Sequence, residues 1–206
     1  MEPGEDIFKT RLNIPPSHGN LLRKMCRHPL RKINRVGKWS APLPGILKIN
    51  TNGSSKGNPG PVGIGGVGRD SKVDIQFVFS IYKGLQTNNL MEAIAILYVV
   101  KNACDLGWRR LICESDSQVV IRLLNQQHSE VVSWKLALIV DQIHHLSTSL
   151  EFVSFTHIPR EWNSVADCLA KWASDHMGNW NIVDKTQLLM GFSHHLDHLV
   201  DLDRVV

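Results

Sequence analysis

Apolar and polar residues alternate from position 47 onward: Leu47, Ile49 and Thr51 against Lys48, Asn50 and Asn52. A period of two is the signature of a strand with two unlike faces. The run Gly53–Pro61 (GSSKGNPGP) breaks the alternation with turn-forming residues. Val62–Arg69 and Lys72–Ile81 predict two more strands, completing an antiparallel meander. The period then becomes helical over Thr87–Leu106, with Leu90, Ile94, Leu97, Val100 and Ala103 as the apolar stripe and Thr87 as N-cap. Arg109–Glu114 predicts a short buried strand, followed by a helix over Ser117–Leu124. Ser133–Leu146 predicts an amphipathic helix buried through Trp134, Leu138, Val140, Ile143 and Leu146. Glu151–His157 predicts a strand, and Val165, Leu169 and Trp172 mark the core face of a last helix ending near Ser174.

The order βββαβααβα predicts an α/β fold: a mixed five-strand sheet with helices on both sides. Residues 1–44 predict an irregular leader, because Pro15, Pro16, Pro29, Pro42 and Pro44 interrupt any long helix. Residues 45–176 form the predicted domain. Residues 177–206 have no clear periodicity and predict a loosely ordered tail with at most one turn of helix.

Composition narrows the class. With 206 residues, 43% hydrophobic and 20% charged, the chain has enough apolar material for one sizeable core. The net charge of +4 is unevenly spread: no Asp or Glu occurs between Ile7 and Arg69, while Arg23, Lys24, Arg27, Arg31, Lys32, Arg35 and Lys38 cluster in the leader. Such a cluster is either a solvated basic arm or a contact with phosphates. Cys26, Cys104, Cys113 and Cys168 lack CxxC spacing, which points to neither a disulfide framework nor a zinc site. The opening MEPGEDIFKTR has no apolar core, and no apolar run reaches membrane-spanning length. The expectation is an intracellular monomer, in nucleus or cytoplasm.

Four loci carry candidate chemistry: Asn52-Gly53-Ser54 at a strand end, Glu92 on the first long helix, Asp116 after the fourth strand, and Asp167 on the last helix. One acid on a helix or at a strand end is commonly a cap or a solvated charge. The ordered set can converge on one edge of the sheet. Clustered carboxylates repel one another and persist mainly where cations sit between them, and hard oxygen ligands favour Mg2+ or Mn2+.

The segments TNGSSKGNPGPVGIGG, TNNLMEAIA, ESDSQVV and HIPREWNSVADCLA, in that order, resemble ribonuclease H type 1. More narrowly they resemble the ribonuclease-H-like domain of plant LINE-type retroelements and genes derived from them, over roughly Ile46 to Ser174. That resemblance implies metal-dependent hydrolysis of the RNA strand of an RNA/DNA hybrid, by four acids in the pattern Asp–Glu–Asp–Asp. Glu92, Asp116 and Asp167 match the last three, and His157 matches the family's mobile-loop histidine. The first acid belongs immediately before Gly53, and there the chain has Asn52. An amide retains one carbonyl oxygen for weak metal contact but removes a full negative charge. Losing ~4 kcal/mol of transition-state stabilisation slows a reaction roughly a thousandfold, so impaired hydrolysis is expected. The resemblance also places Ser54, Asn58, Asn88, Asn89 and Gln118 along the hybrid, with amides reaching 2′-hydroxyls and base edges. Asn58 reads equally well as a turn residue before Pro59.

Two other readings stay open: an active hybrid endoribonuclease that tolerates Asn52, and a non-catalytic protein-interaction scaffold. Gly63-Ile64-Gly65-Gly66-Val67-Gly68 matches a dinucleotide-binding string, but it lies inside a strand leading to another strand, where such a loop does not form. His194, His195 and His198 lack partners at ligand spacing and are assigned to the tail.

Overall fold

The computed structural model describes residues 39–57, 59–125 and 133–182, with the backbone alone for Asn88 and residues 180–182. The basic leader cluster, Asn58 and the three tail histidines lie outside the described residues. The elements are β1 (Leu47–Ser55), β2 (Gly60–Arg69), β3 (Ile75–Gln86), α1 (Asn88–Asp105), β4 (Arg110–Ser115), α2 (Gln118–Asn125), α3 (Trp134–Ser147), β5 (Phe152–His157), α4 (Ser164–His176) and β6 (Asn179–Ile182). A 3-10 turn, Arg160–Trp162, precedes α4.

The sheet order is β5-β4-β1-β2-β3-β6. β1, β2 and β3 are antiparallel neighbours, whereas β4 pairs parallel to both β1 and β5. The five expected strands are joined by a sixth: Asn179–Ile182, expected to be tail, pair antiparallel with Val78–Ile81. Four residues are too short for alternation to register as a pattern, so only the edge offered by β3 reveals them.

Two helical layers cover the sheet. α1 packs on β1 and β2, and α3 packs on α1; α4 packs on the opposite face, against β1, β2 and β3. α1 is buried over a wider arc than its expected stripe. Met91, Ala93, Ala95, Ile96, Val99, Val100 and Ala103 are buried, while Leu90, Ile94 and Leu97 are half-buried at the flanks. A helix held between a sheet and another helix has two apolar faces, and a single stripe understates them. On α3, Leu136, Val140 and Ile143 face the core, but Trp134 and Leu138 face solvent, contrary to expectation. Ser133 caps this helix by accepting from the Leu136 N–H, whereas Thr87 stands at the α1 N-cap without a side-chain bond.

β3 starts later than its composition suggests. Asp70 Oδ1 accepts from the backbone N–H groups of Lys72 and Asp74, folding residues 70–74 into a side-chain-stabilised turn. The strand then runs on to Gln86 because β2 supplies partners as far as Gly60. The glycine string of β2 is explained by close packing. A Cβ on Gly63 or Gly65 would lie 2.3 Å from α4 backbone atoms of Ala170, and one on Gly66 would lie 2.5 Å from the Phe79 ring. These glycines let a helix seat on one face and aromatic rings on the other.

The α4-facing side of β1 carries an ion pair in the interior. Lys48 Nζ lies 3.0 Å from Glu114 Oε1, and both side chains are about 90% buried. Glu114 Oε2 accepts from Asn50 Nδ2 at 2.9 Å and from the Trp39 indole N–H at 3.0 Å. Fully buried Arg69 donates to Asn50 Oδ1 and lies 4.7 Å from the centre of the Trp39 ring. Trp39 thus packs on the sheet, although the sequence pattern puts it in the leader. Each charge here is stabilised only by its partners, so removing one strands another. Glu114→Ala is expected to cost about 3–5 kcal/mol of folding stability, read from urea unfolding against the unsubstituted protein, by leaving the buried Lys48 ammonium without a counter-charge and with the Ser40 carbonyl, 2.9 Å away, as its acceptor.

Candidate functional site

The parallel ladder between β1 and β4 ends at Thr51 opposite Ser115. Asn52 is the next residue on β1 and Asp116 the first residue after β4, so they flank the point where the strands stop sharing hydrogen bonds. α1 brings Glu92 to this point from one face of the sheet, and α4 brings Asp167 from the other, in its first turn. The approach of α1 depends on Gly53: a Cβ there would fall 2.6 Å from the Glu92 backbone nitrogen.

Glu92 is buried; Ser115 Oγ donates to its Oε2 at 3.3 Å, and the Gly53 N–H also bonds to the carboxylate. Burial pushes its carboxyl well above the ordinary range, repulsion from Asp116 and Asp167 adds to the shift, and the two hydrogen bonds oppose it. Asp116 is half-buried and accepts from Asn163 Nδ2 at 2.8 Å. The same amide nitrogen donates to the Thr51 carbonyl at 2.8 Å, so Asn163 ties β1 to the turn after β4. Asn163 occupies the α4 N-cap position but makes no capping bond with its side chain, and its buried Oδ1 has no partner. Asp167 Oδ1 accepts from Asn52 Nδ2 at 3.2 Å and from Arg160 Nη2 at 2.9 Å, and its Oδ2 accepts from Lys171 Nζ. The Asp167 charge holds the Arg160 guanidinium above its ordinary pKa.

The remaining candidates are spread around this centre. His157 is exposed at the end of β5, level with Ser115. Ser54 is half-buried two residues beyond Asn52. Asn89 and Gln118 are exposed at the N-terminal ends of α1 and α2, and Asn88 opens α1. Cys113, by contrast, is a core thiol pushed up to about 12 by burial, and it has no part in the site. The pattern of residue types does not single out Asn163, Arg160, Lys171 or Ser115. Lys171 had one available signal, its i,i+4 spacing from Asp167.

As placed, this donor set does not fit a pair of divalent ions. Asn52 turns an amide donor, not an oxygen, toward Asp167, and both Asp167 oxygens already face cationic side chains. Among the described residues, no three His, Cys, Asp or Glu side chains come together closely enough to hold a metal ion.

The Glu92 shift makes stability depend on pH with a definite sign. A carboxyl that holds its proton more tightly when folded contributes stability below its unfolded value and loses it as the pH rises toward the folded one. Glu92→Gln cannot ionise. It is expected to unfold at a higher temperature than the unsubstituted protein at neutral and alkaline pH in EDTA, with the gap closing as pH falls toward the ordinary 4.5. A variant less stable at every pH would contradict the repulsion described.

Comparison with known proteins agrees with this architecture. The reverse transcriptase-like family profile matches residues 50–173. The chain is similar to ribonuclease HI of Halobacterium salinarum, 32% identical over 127 residues, covering 60% of this chain and 62% of that one. It is also 32% identical over 142 residues to an Arabidopsis thaliana chain whose ribonuclease H assignment is provisional, spanning 69% of this chain but 23% of that one. Among solved structures, RNase H1 from Halobacterium salinarum superposes with a TM-score of 0.61 at 30% identity, covering 64% of this chain and 98% of that one. LC11-RNase H1, solved in complex with RNA/DNA hybrid, superposes with a TM-score of 0.58 at 30% identity, covering 64% and 98%. None of the helices among the described residues is long and apolar enough to cross a membrane. By its matched segment, its sheet order and these relatives, the chain belongs to the reverse transcriptase-like family and carries a domain of the ribonuclease H type.

Proposed function

We propose that this domain binds RNA/DNA hybrid across the ends of β1 and β4, with hydrolysis of the RNA strand strongly weakened by Asn52. The observation that carries the reading is the 3.2 Å bond from Asn52 Nδ2 to Asp167 Oδ1. An amide that donates to the neighbouring carboxylate satisfies that carboxylate instead of joining it as an anionic ligand. The resemblance drawn from the sequence puts a metal-bridging aspartate at this position, with Mg2+ or Mn2+ supplying water activation and charge neutralisation in the family's chemistry.

Binding calls on other groups. Exposed Asn89 and Gln118 sit at the starts of α1 and α2, close in sequence to Glu92 and Asp116. Their amides are suited to 2′-hydroxyls and base edges, the features that separate RNA from DNA in a groove. Ser54, Asn58 and Asn88 complete the proposed contact surface, and His157 retains the role that the family resemblance gives it. LC11-RNase H1, of similar fold, is solved with such a hybrid, which supports the substrate class. The proposal includes the plant retroelement ancestry that the four sequence segments imply.

Asn52→Asp tests the assignment. The substitution is nearly isosteric, adds the absent charge and removes the amide that occupies Asp167. On a labelled hybrid with Mg2+, the variant is expected to cleave the RNA strand about a thousandfold faster than the unsubstituted chain. Equal, rapid cleavage by both would make the chain an active endoribonuclease. Silence of a folded variant that still binds hybrid would remove Asn52 as the cause of the deficit.

A further inference from the structure

Asp167 is the carboxylate of the cluster whose charge the protein itself balances. Its side chain is only 15% exposed, and an anion so placed needs a counter-charge. Arg160 approaches Oδ1 from the 3-10 turn before α4, and Lys171 approaches Oδ2 from one turn further along α4. Asn52 Nδ2 supplies a third donor. Two cations thus stand at Asp167 beside the carboxyls of Glu92 and Asp116, and an aspartate at position 52 would add a fourth acid without adding a cation.

We infer that Arg160 and Lys171 are the built-in counter-ions of this site, standing at Asp167 where a divalent cation would otherwise be needed, so that an ion enters only by displacing Arg160. The inference rests on reading these carboxylates as the functional site, and it concerns what neutralises them. Arg160 is the more readily displaced partner because its side chain is 66% exposed and its turn lies outside the sheet. Lys171 is bound more closely, on the same helix face as Asp167. The Arg160 guanidinium carries five N–H donors in a planar fork, a geometry that also matches a phosphodiester. The cation that balances Asp167 in the free protein is thus a group suited to the backbone of an incoming strand.

The test measures Mn2+ binding to the full chain by calorimetry, and by the electron paramagnetic resonance signal of free Mn2+, with no nucleic acid present. The double variant Arg160→Gln/Lys171→Gln is expected to bind Mn2+ about tenfold more tightly than the unsubstituted protein. It should also melt at a lower temperature in EDTA and recover with Mn2+, because an ion that binds only the folded state stabilises it. The unsubstituted protein should show little such response. Arg160→Gln alone, at an exposed position outside the core, keeps the question answerable if the double variant does not fold; it is expected to tighten Mn2+ binding several-fold. Unchanged or weaker Mn2+ binding in the variants overturns the inference. Since no hybrid is involved, that result leaves the hybrid-binding proposal standing, and loss of hybrid binding leaves this one standing.

Discussion

Glu92, Asp116 and Asp167 repel one another at the place where β1 and β4 stop pairing, and the arrangement around them answers that repulsion. The strands put Asp116 beside Asn52, while helices on opposite faces of the sheet deliver the other two acids. Each acid is then handled differently. Glu92 is desolvated, which pushes its carboxyl above the ordinary range, Asp116 is held by the Asn163 amide, and Asp167 is bracketed by Arg160 and Lys171. An amide at position 52 belongs to the same solution, because it adds a donor where the cluster already has an excess of acceptors.

The polar side of β1 shows the same logic deeper in the protein. Lys48, Asn50 and Asn52 follow one another along that side, each bonded to a carboxylate: the first two to Glu114, the third to Asp167. Near Trp39 the pairing is enclosed and its role is structural. Toward the strand end it meets Asp167, whose partner Arg160 is exposed. One strand thus runs from a sealed ion pair at Glu114 to a hydrogen bond with Asp167, a carboxylate whose cationic partner Arg160 is exposed. The difference is solvent access to the partner, since burial makes a broken pair costly and exposure makes exchange cheap.

Strand alternation in Leu47–Asn52 and the helical period of residues 87–106 were legible because both depend on neighbours in sequence. So were the positions of Glu92, Asp116 and Asp167, each at a strand end or in the early turns of a helix. What escaped the pattern depends on distant neighbours. β6 exists because β3 offers an edge, Trp39 is buried because Glu114 accepts its N–H, and α1 has a second apolar face because α3 covers it. Asn163 sits in the segment HIPREWNSVADCLA, yet its link from the Thr51 carbonyl to Asp116 appears only when α4 docks. Arg160 and Lys171 read as ordinary surface charges until Asp167 is seen between them.

Hybrid binding by the protein's own side chains, without a metal ion, is the property on which the site's assignment depends. Fluorescence anisotropy of a labelled RNA/DNA hybrid, titrated with the unsubstituted protein in EDTA and again in Mg2+, measures this directly. Binding is expected in EDTA, weakening steadily with added salt as phosphate contacts require, with an affinity that Mg2+ leaves nearly unchanged. Binding that appears only when Mg2+ is present, or no binding under either condition, would contradict that assignment.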